Sequence, residues 1–94
     1  MNIVVVGVNY KTVAVDVRER LAFGQEKLGD ALRLLKSREG VLECLILSTC
    51  NRVEIYSLVT NVAPSVLASF LREYHGLDES VDVYEGLPAG EIVL

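Results

Sequence analysis

The order of strands and helices in these 94 residues predicts an α+β fold, a ferredoxin-like split-βαβ sandwich. The expected order is β-α-β-β-α-β, with an antiparallel sheet and the helices on one face. Three observations predict it. A β-branched run opens the chain, two apolar runs meet at a polar turn in the middle, and a stretch with helical apolar spacing lies on either side of that pair. Hydrophobic residues make up 51% of the chain, enough for a core, so composition excludes a disordered segment.

The opening run Ile3-Val4-Val5-Val6-Gly7-Val8-Asn9-Tyr10 has no clear alternation, and strands apolar on both faces lie centrally in a sheet. Asp16-Val17-Arg18-Glu19 has the form of a capping box and predicts a short helical segment through Leu21, broken by Gly24. Between Gln25 and Arg38, Leu28, Ala31, Leu32 and Leu35 share one helical face, and Gly40 is expected to end the helix as a left-handed cap. Val41 to Thr49 reads as the second strand, and Val53, Ile55 and Leu58 mark the third. Leu45–Cys50 and Arg52–Val59 are expected to pair antiparallel, with Asn51 in the turn. Pro64 suits the first position of a helix whose stripe is Val66, Leu67, Phe70, Leu71 and Tyr74, and Gly76 stops it. Val81-Asp82-Val83-Tyr84 alternates as a short edge strand. The tail from Glu85 ends on Ile92-Val93-Leu94, where a domain normally closes in polar residues, and so reads as a fragment of a longer protein.

Charge and composition narrow the function classes. Nine basic residues against thirteen acidic ones give a net charge of −4, a poor basis for stand-alone nucleic-acid binding, which depends on Lys and Arg displacing counterions. An apolar run such as Ile3 to Val6 is far short of the roughly 20 residues of a membrane span. The N-terminus has no basic region followed by a cleavable apolar one, so no membrane association and a cytoplasmic location are expected. Two cysteines and one histidine cannot furnish a four-ligand zinc site without two carboxylates, so no metal is expected. Gly7 stands alone after the first strand, and Pro88 interrupts Gly86 to Gly90. With no glycine-rich phosphate fingerprint, no cofactor-binding residue is expected within the chain.

Chemistry concentrates in Leu47-Ser48-Thr49-Cys50-Asn51-Arg52-Val53-Glu54-Ile55-Tyr56. Cys50 closes its strand, so its sulfur can be exposed on a firmly held backbone. Arg52 can favour the thiolate, or grip a carboxylate with its planar fork. Glu54 and Asn51 can orient Arg52 or a ligand amine. Against this stands the ordinary fate of a cysteine at the end of an apolar strand, a small buried hydrophobe. By residue chemistry alone Cys50 stands between the two. Cys44, in the middle of the same strand, better fits the inert role. A disulfide between them is excluded by reach, since six strand residues span about 20 Å and bridged Cα atoms lie within about 7 Å. His75 falls at a helix end, where it caps carbonyls or faces solvent. Asn9 to Thr12 reads as an ordinary loop, and Arg18, Glu19 and Arg20 as a solvated helical face.

Gly7-Val8-Asn9-Tyr10-Lys11-Thr12-Val13, Arg18-Glu19-Arg20-Leu21-Ala22-Phe23 and the Leu47–Tyr56 string together resemble the N-terminal catalytic domain of the glutamyl-tRNA reductase family. The resemblance covers essentially the whole chain, and its Ser-Thr-Cys-Asn-Arg-x-Glu-x-Tyr string is highly specific. It implies a single catalytic, glutamyl-binding domain over residues 1–94, with NADPH-binding and dimerisation domains outside them. It implies reduction of tRNA-bound glutamate to glutamate 1-semialdehyde, the first step of tetrapyrrole (porphyrin) synthesis, through a Cys50 thioester. Thr49, Cys50, Asn51 and Arg52 would bind the glutamyl group, with Arg52 on its side-chain carboxylate. NADPH would be the cofactor, held by another domain. The implied partners are the aminoacyl end of glutamyl-tRNA, a second copy of the chain through a C-terminal domain, and the downstream semialdehyde aminomutase. An acidic domain suits this role if it touches only the terminal adenosine and the amino acid. Two departures are visible. Tyr10 stands where the family usually has histidine, and the family's active-site histidine falls beyond Leu94, with His75 not corresponding to it. The competing class is a non-catalytic ferredoxin-like module that binds a small ligand or a partner, with Cys50 structural.

Overall fold

Residues 1–86 are described by the computed structural model, and the tail from Leu87 to Leu94 lies outside the described residues. Strands β1 (Asn2–Asn9), β2 (Val41–Ser48), β3 (Arg52–Val59) and β4 (Tyr84–Gly86) and helices α1 (Val15–Leu21), α2 (Gln25–Lys36) and α3 (Pro64–Tyr74) follow in the order β1-α1-α2-β2-β3-α3-β4. The four strands form one sheet in the order β2-β3-β1-β4, and every neighbouring pair is antiparallel. This is the split-βαβ arrangement the sequence predicts, with α1 added ahead of the first crossover helix. The apolar β1 lies centrally, between β3 and β4.

Alternation along the strands decides which residues meet the helices. Val4, Val6 and Val8 of β1 and Val53, Ile55 and Val59 of β3 are buried, and they join Leu35 of α2 and Leu67, Phe70 and Leu71 of α3 in one core. Each such side chain contributes about 1.5–3 kcal/mol when fully buried. The residues between them face the other way, and that side stays partly open: Ile3 is 50% and Leu45 61% exposed.

Helix ends and one strand start depart from the sequence expectation. The helix after β1 begins at Val15 with Ala14 as its N-cap and no capping side chain, so Asp16 lies in the first turn rather than at a capping box. There its charge favours the positive helix end without a specific hydrogen bond. Helix α2 ends at Lys36 with Ser37 as cap, and Gly40 is a turn residue further on. Gly40 has φ +87°, and a Cβ there would lie 2.5 Å from the Thr60 carbonyl oxygen, so the entry to β2 requires glycine. The stop at Gly76 forms as expected. Its N–H donates to the Glu73 carbonyl at 3.0 Å and that of Leu77 to Arg72 at 2.9 Å, a Schellman closure. Val81 does not start the edge strand, because its carbonyl accepts a 2.8 Å hydrogen bond from Arg72 Nε instead of a ladder partner. Val83 is buried in the core, and pairing begins at Tyr84.

Candidate active site

The turn between β2 and β3 holds the polar residues of the central string. Two-residue hairpin loops usually need residues at positive φ. Neither Cys50 nor Asn51 has one, and among the described non-glycine residues positive φ occurs at Asn61. Thr49 closes the turn instead. Its backbone N–H donates to the Arg52 carbonyl at 2.8 Å. Its Oγ1 accepts from the backbone N–H groups of Asn51 at 3.2 Å and Arg52 at 3.1 Å. The Thr49 hydroxyl is therefore engaged in shaping the turn.

Two outside tethers hold the same turn. The Tyr10 N–H donates to the Asn51 carbonyl at 2.9 Å. Arg18 reaches from α1, donating from Nε to the Cys50 carbonyl at 3.3 Å and from Nη1 to the Val13 carbonyl at 2.8 Å. The solvated face expected at residues 18–20 is thus corrected for Arg18, which is half-buried, while Glu19 and Arg20 are exposed. The signal was available in the spacing, since Arg18 precedes the buried Leu21 by three residues and shares its helix face.

Cys50 is exposed at this tethered turn, and both cysteines are free thiols. Cys44 is only half-buried, contrary to the expectation of a buried position, because β2 is an edge strand. Its Sγ lies 3.8 Å from the Leu32 carbonyl oxygen, and burial pushes its pKa up despite the nearby Lys36. Cys50 is the more exposed of the two thiols.

A cavity of about 320 Å³ adjoins the turn, lined by Asn9, Tyr10, Lys11, Asn51 and Arg52. The structure so brings Asn51 and Arg52 to one wall, while Thr49 and Cys50 lie on the turn outside that lining. The opposite wall is the loop read as ordinary in the sequence. It is folded by Asn9, whose Oδ1 accepts the Lys11 N–H at 2.8 Å and whose N–H donates to Thr12 Oγ1 at 3.0 Å. Asn9 also stands directly opposite Arg52 in the ladder, a cross-strand placement that one strand's sequence does not display. Lys11 and Arg52 give the cavity two cations, a wall suited to an anionic group.

Arg52 is itself held from behind. Its Nη1 forms an ion pair with Glu54 Oε1 at 3.4 Å, and Glu54 is 8% exposed. Tyr56 donates its hydroxyl to Glu54 Oε1 at 2.9 Å and Tyr84 to Oε2 at 2.5 Å. Burial, and then the hydrogen bond to Glu54, raise both phenol pKa values, Tyr84 the more strongly. Both therefore stay protonated donors in neutral solution.

His75 caps α3 through its backbone and is half-buried, with its ring packed edge-on at 4.5 Å from Phe23. Its Nε2 is buried without a partner, and burial, helped by Lys27, lowers its pKa. Among the described residues no group of three or more His, Cys, Asp or Glu is placed to hold a metal ion. No helix among them is long and apolar enough to cross a membrane.

Residues 6–90 match the family model described as glutamyl-tRNAGlu reductase, N-terminal domain. The chain belongs to the glutamyl-tRNA reductase family. It is 43% identical over 94 residues to the glutamyl-tRNA reductase of Geobacillus thermodenitrificans, covering 97% of this chain and 21% of that protein. It is 45% identical over 78 residues to that of Shewanella baltica, covering 83% of this chain and 18% of the relative. The solved glutamyl-tRNA reductase from Methanopyrus kandleri superposes with a TM-score of 0.66 at 21% identity, covering 92% of this chain and 19% of that one, a likeness of fold. The chain thus spans about a fifth of the length of the curated relatives it matches.

Gly7 offers no phosphate cradle for the nicotinamide cofactor, which the family resemblance places on another domain. Gly7 lies within β1 rather than after it, paired with Glu54 and Tyr84, and the space over it is already filled. A Cβ there would lie 2.4 Å from the Val53 carbonyl oxygen and 2.8 Å from Glu54 Cγ.

Proposed function

We propose that this chain is the acyl-accepting catalytic domain of a glutamyl-tRNA reductase, with Cys50 as nucleophile. The observation that carries the reading is an exposed thiol on a turn closed by Thr49 and tethered from outside by Tyr10 and Arg18, next to a cavity whose wall carries Arg52. In this reaction the Cys50 thiolate attacks the glutamyl ester carbon. The new S–C bond forms as the ester C–O bond breaks, and the electron pair leaves on the tRNA ribose oxygen, which takes up a proton. The product is a thioester on Cys50. Arg52 pairs with the glutamate side-chain carboxylate, and Asn51 and Thr49 complete the glutamyl site. Of these, Thr49 acts chiefly by shaping the turn, given the hydrogen bonds its hydroxyl already makes. Reduction to the semialdehyde on the way to tetrapyrroles, for which the family resemblance implies NADPH, lies outside what these residues do. Dimerisation and hand-over to an aminomutase belong likewise to the rest of the enzyme, and residues 1–94 form its N-terminal domain.

The test is covalent capture. Incubated with glutamyl-tRNA labelled in the glutamate and without NADPH, the reductase containing this chain should acquire label in a hydroxylamine-sensitive bond. Cys50→Ser should acquire none, because an unactivated hydroxyl is a far weaker nucleophile. Label that survives the substitution overturns the reading. The clamp is tested separately. Arg52→Lys keeps the charge but loses the fork, and selectivity for the glutamyl over the glutaminyl ester on the same tRNA should fall roughly ten- to hundredfold. Unchanged selectivity removes Arg52 from that role.

A further inference from the structure

The open face of the sheet carries a polar assembly that the acyl-transfer chemistry does not use directly. Arg52 and Glu54 alternate onto that face with Tyr56, and the ladder sets Gly7 opposite Glu54 and Tyr84 opposite Gly7. Three strands thus converge on one carboxylate. Its side chain is 11% exposed while that of Arg52 is 51% exposed, so the pair has a buried anchor and a free end.

Burying a carboxylate is costly unless its oxygens are satisfied, and a mere surface ion pair would not justify it. Here both oxygens have partners, the phenols of Tyr56 and Tyr84 and the Arg52 guanidinium. The assembly also needs the missing side chain at Gly7, because a Cβ there would collide with Glu54 Cγ at 2.8 Å. Resting on the proposed clamp reading, we propose that Glu54 is a positioning residue for glutamate selectivity: braced by Tyr56, Tyr84 and the gap at Gly7, it fixes the Arg52 guanidinium so that its free edge faces the cavity. An arginine side chain held in one geometry loses less entropy on gripping a carboxylate than a freely moving one. Glu54 touches no substrate; it acts through Arg52. By drawing one side of the guanidinium towards itself it leaves the remaining N–H groups as a directed fork, which a planar carboxylate recognises and a neutral amide does not.

The experiment compares kcat/KM for the glutamyl ester with that for glutamine misacylated onto the same tRNA, using the full-length reductase. Glu54→Gln preserves size and an acceptor but loses the charge. It should reduce the glutamyl-to-glutaminyl selectivity about tenfold, chiefly through KM for the glutamyl ester, while the rate on the glutaminyl ester changes less than about twofold. In the Arg52→Lys background the same substitution should add almost nothing, since the two residues act as one unit. Tyr84→Phe, which leaves the carboxylate in place, should cost a smaller factor in the same direction and carries the test should Glu54→Gln fold poorly. An equal loss on both esters, or effects of Glu54→Gln and Arg52→Lys that multiply independently, would show a merely structural role and overturn the proposal. If Arg52→Lys alone leaves selectivity unchanged, the clamp reading fails first. If Arg52→Lys lowers it and Glu54→Gln does not, the positioning role alone is refuted.

Discussion

The two faces of the central strands perform different work within the same residues. Along β3, Val53, Ile55 and Val59 point into the helices, while Arg52, Glu54 and Tyr56 point to the open side. Along β1, Val4, Val6 and Val8 are buried, and Gly7 on the other face leaves room for Glu54. Because strand side chains alternate with period two, stability and chemistry can be encoded in one string without sharing a face. The difference teaches that a substitution on one face should be felt in folding and its neighbour on the other in function. The turn residues Cys50 and Asn51, proposed for the acyl-accepting site, contribute to no part of the core.

That contrast can be broken experimentally. The largest expected effect is at the turn: Cys50→Ser in the full-length enzyme should lower turnover by at least about a thousandfold. Its unfolding free energy should change by no more than about 0.5 kcal/mol, as for most exposed positions. A Cys50→Ser protein that unfolds readily would place Cys50 on the structural side. Next comes Ile55→Ala, one residue beyond Glu54 but on the covered face. It should cost about 2–5 kcal/mol in urea unfolding, with glutamyl-to-glutaminyl selectivity intact in the fraction that folds. Gly7→Ala tests the point where the faces meet, since its methyl would press on the Val53 carbonyl and on Glu54. About 1–3 kcal/mol of stability should be lost by such overpacking, together with selectivity; a neutral result would mean the strands yield easily.

Two titrations sharpen the same contrast by smaller amounts. Tyr84 has a raised pKa in the fold, so the folded state holds its proton where the unfolded chain has begun to release it. Its stabilising contribution is complete below the ordinary value of 10.0 and is lost progressively as pH rises above it. Thermal melts between neutral and strongly alkaline pH should show that loss, and Tyr84→Phe should flatten it. His75 has the opposite sign. Its pKa is lowered, so its contribution is present above the ordinary 6.5 and lost as pH falls below it. Melts of His75→Gln should lose part of the acid-side slope, while Cys50 labelling at a fixed pH stays unchanged.

Much of the fold was legible because local rules and tertiary demands agree. The apolar run of β1, the stripe of α3 begun by Pro64 and stopped by Gly76, and the β2–β3 hairpin all follow from periodicity and turn chemistry. Disagreements fell where a tertiary partner captured a group that local rules assign elsewhere. Arg72 takes the Val81 carbonyl and delays β4, and the close approach of Thr60 makes Gly40 a turn residue. Of the candidate site, Arg52 lies at a strand end as expected, whereas Cys50, expected to close β2, lies in the turn beyond it because β2 ends at Ser48. Thr49 was readable as polar but not as the closure of the turn.

By itself, the sequence determined the strand and helix order, the hairpin and the string of polar residues that interrupts it, because spacing along one chain is sufficient for each. Only the tertiary structure decided what stands across from what: Asn9 opposite Arg52, Gly7 opposite Glu54, Tyr84 beside the same carboxylate, and Arg18 on the Cys50 carbonyl. Those pairings join residues far apart in the chain, and their geometry is set by strand register and by the packing of α1 near β3. A buried carboxylate is tolerated only where several strands supply its partners at once, and such convergence exists only after the sheet has formed.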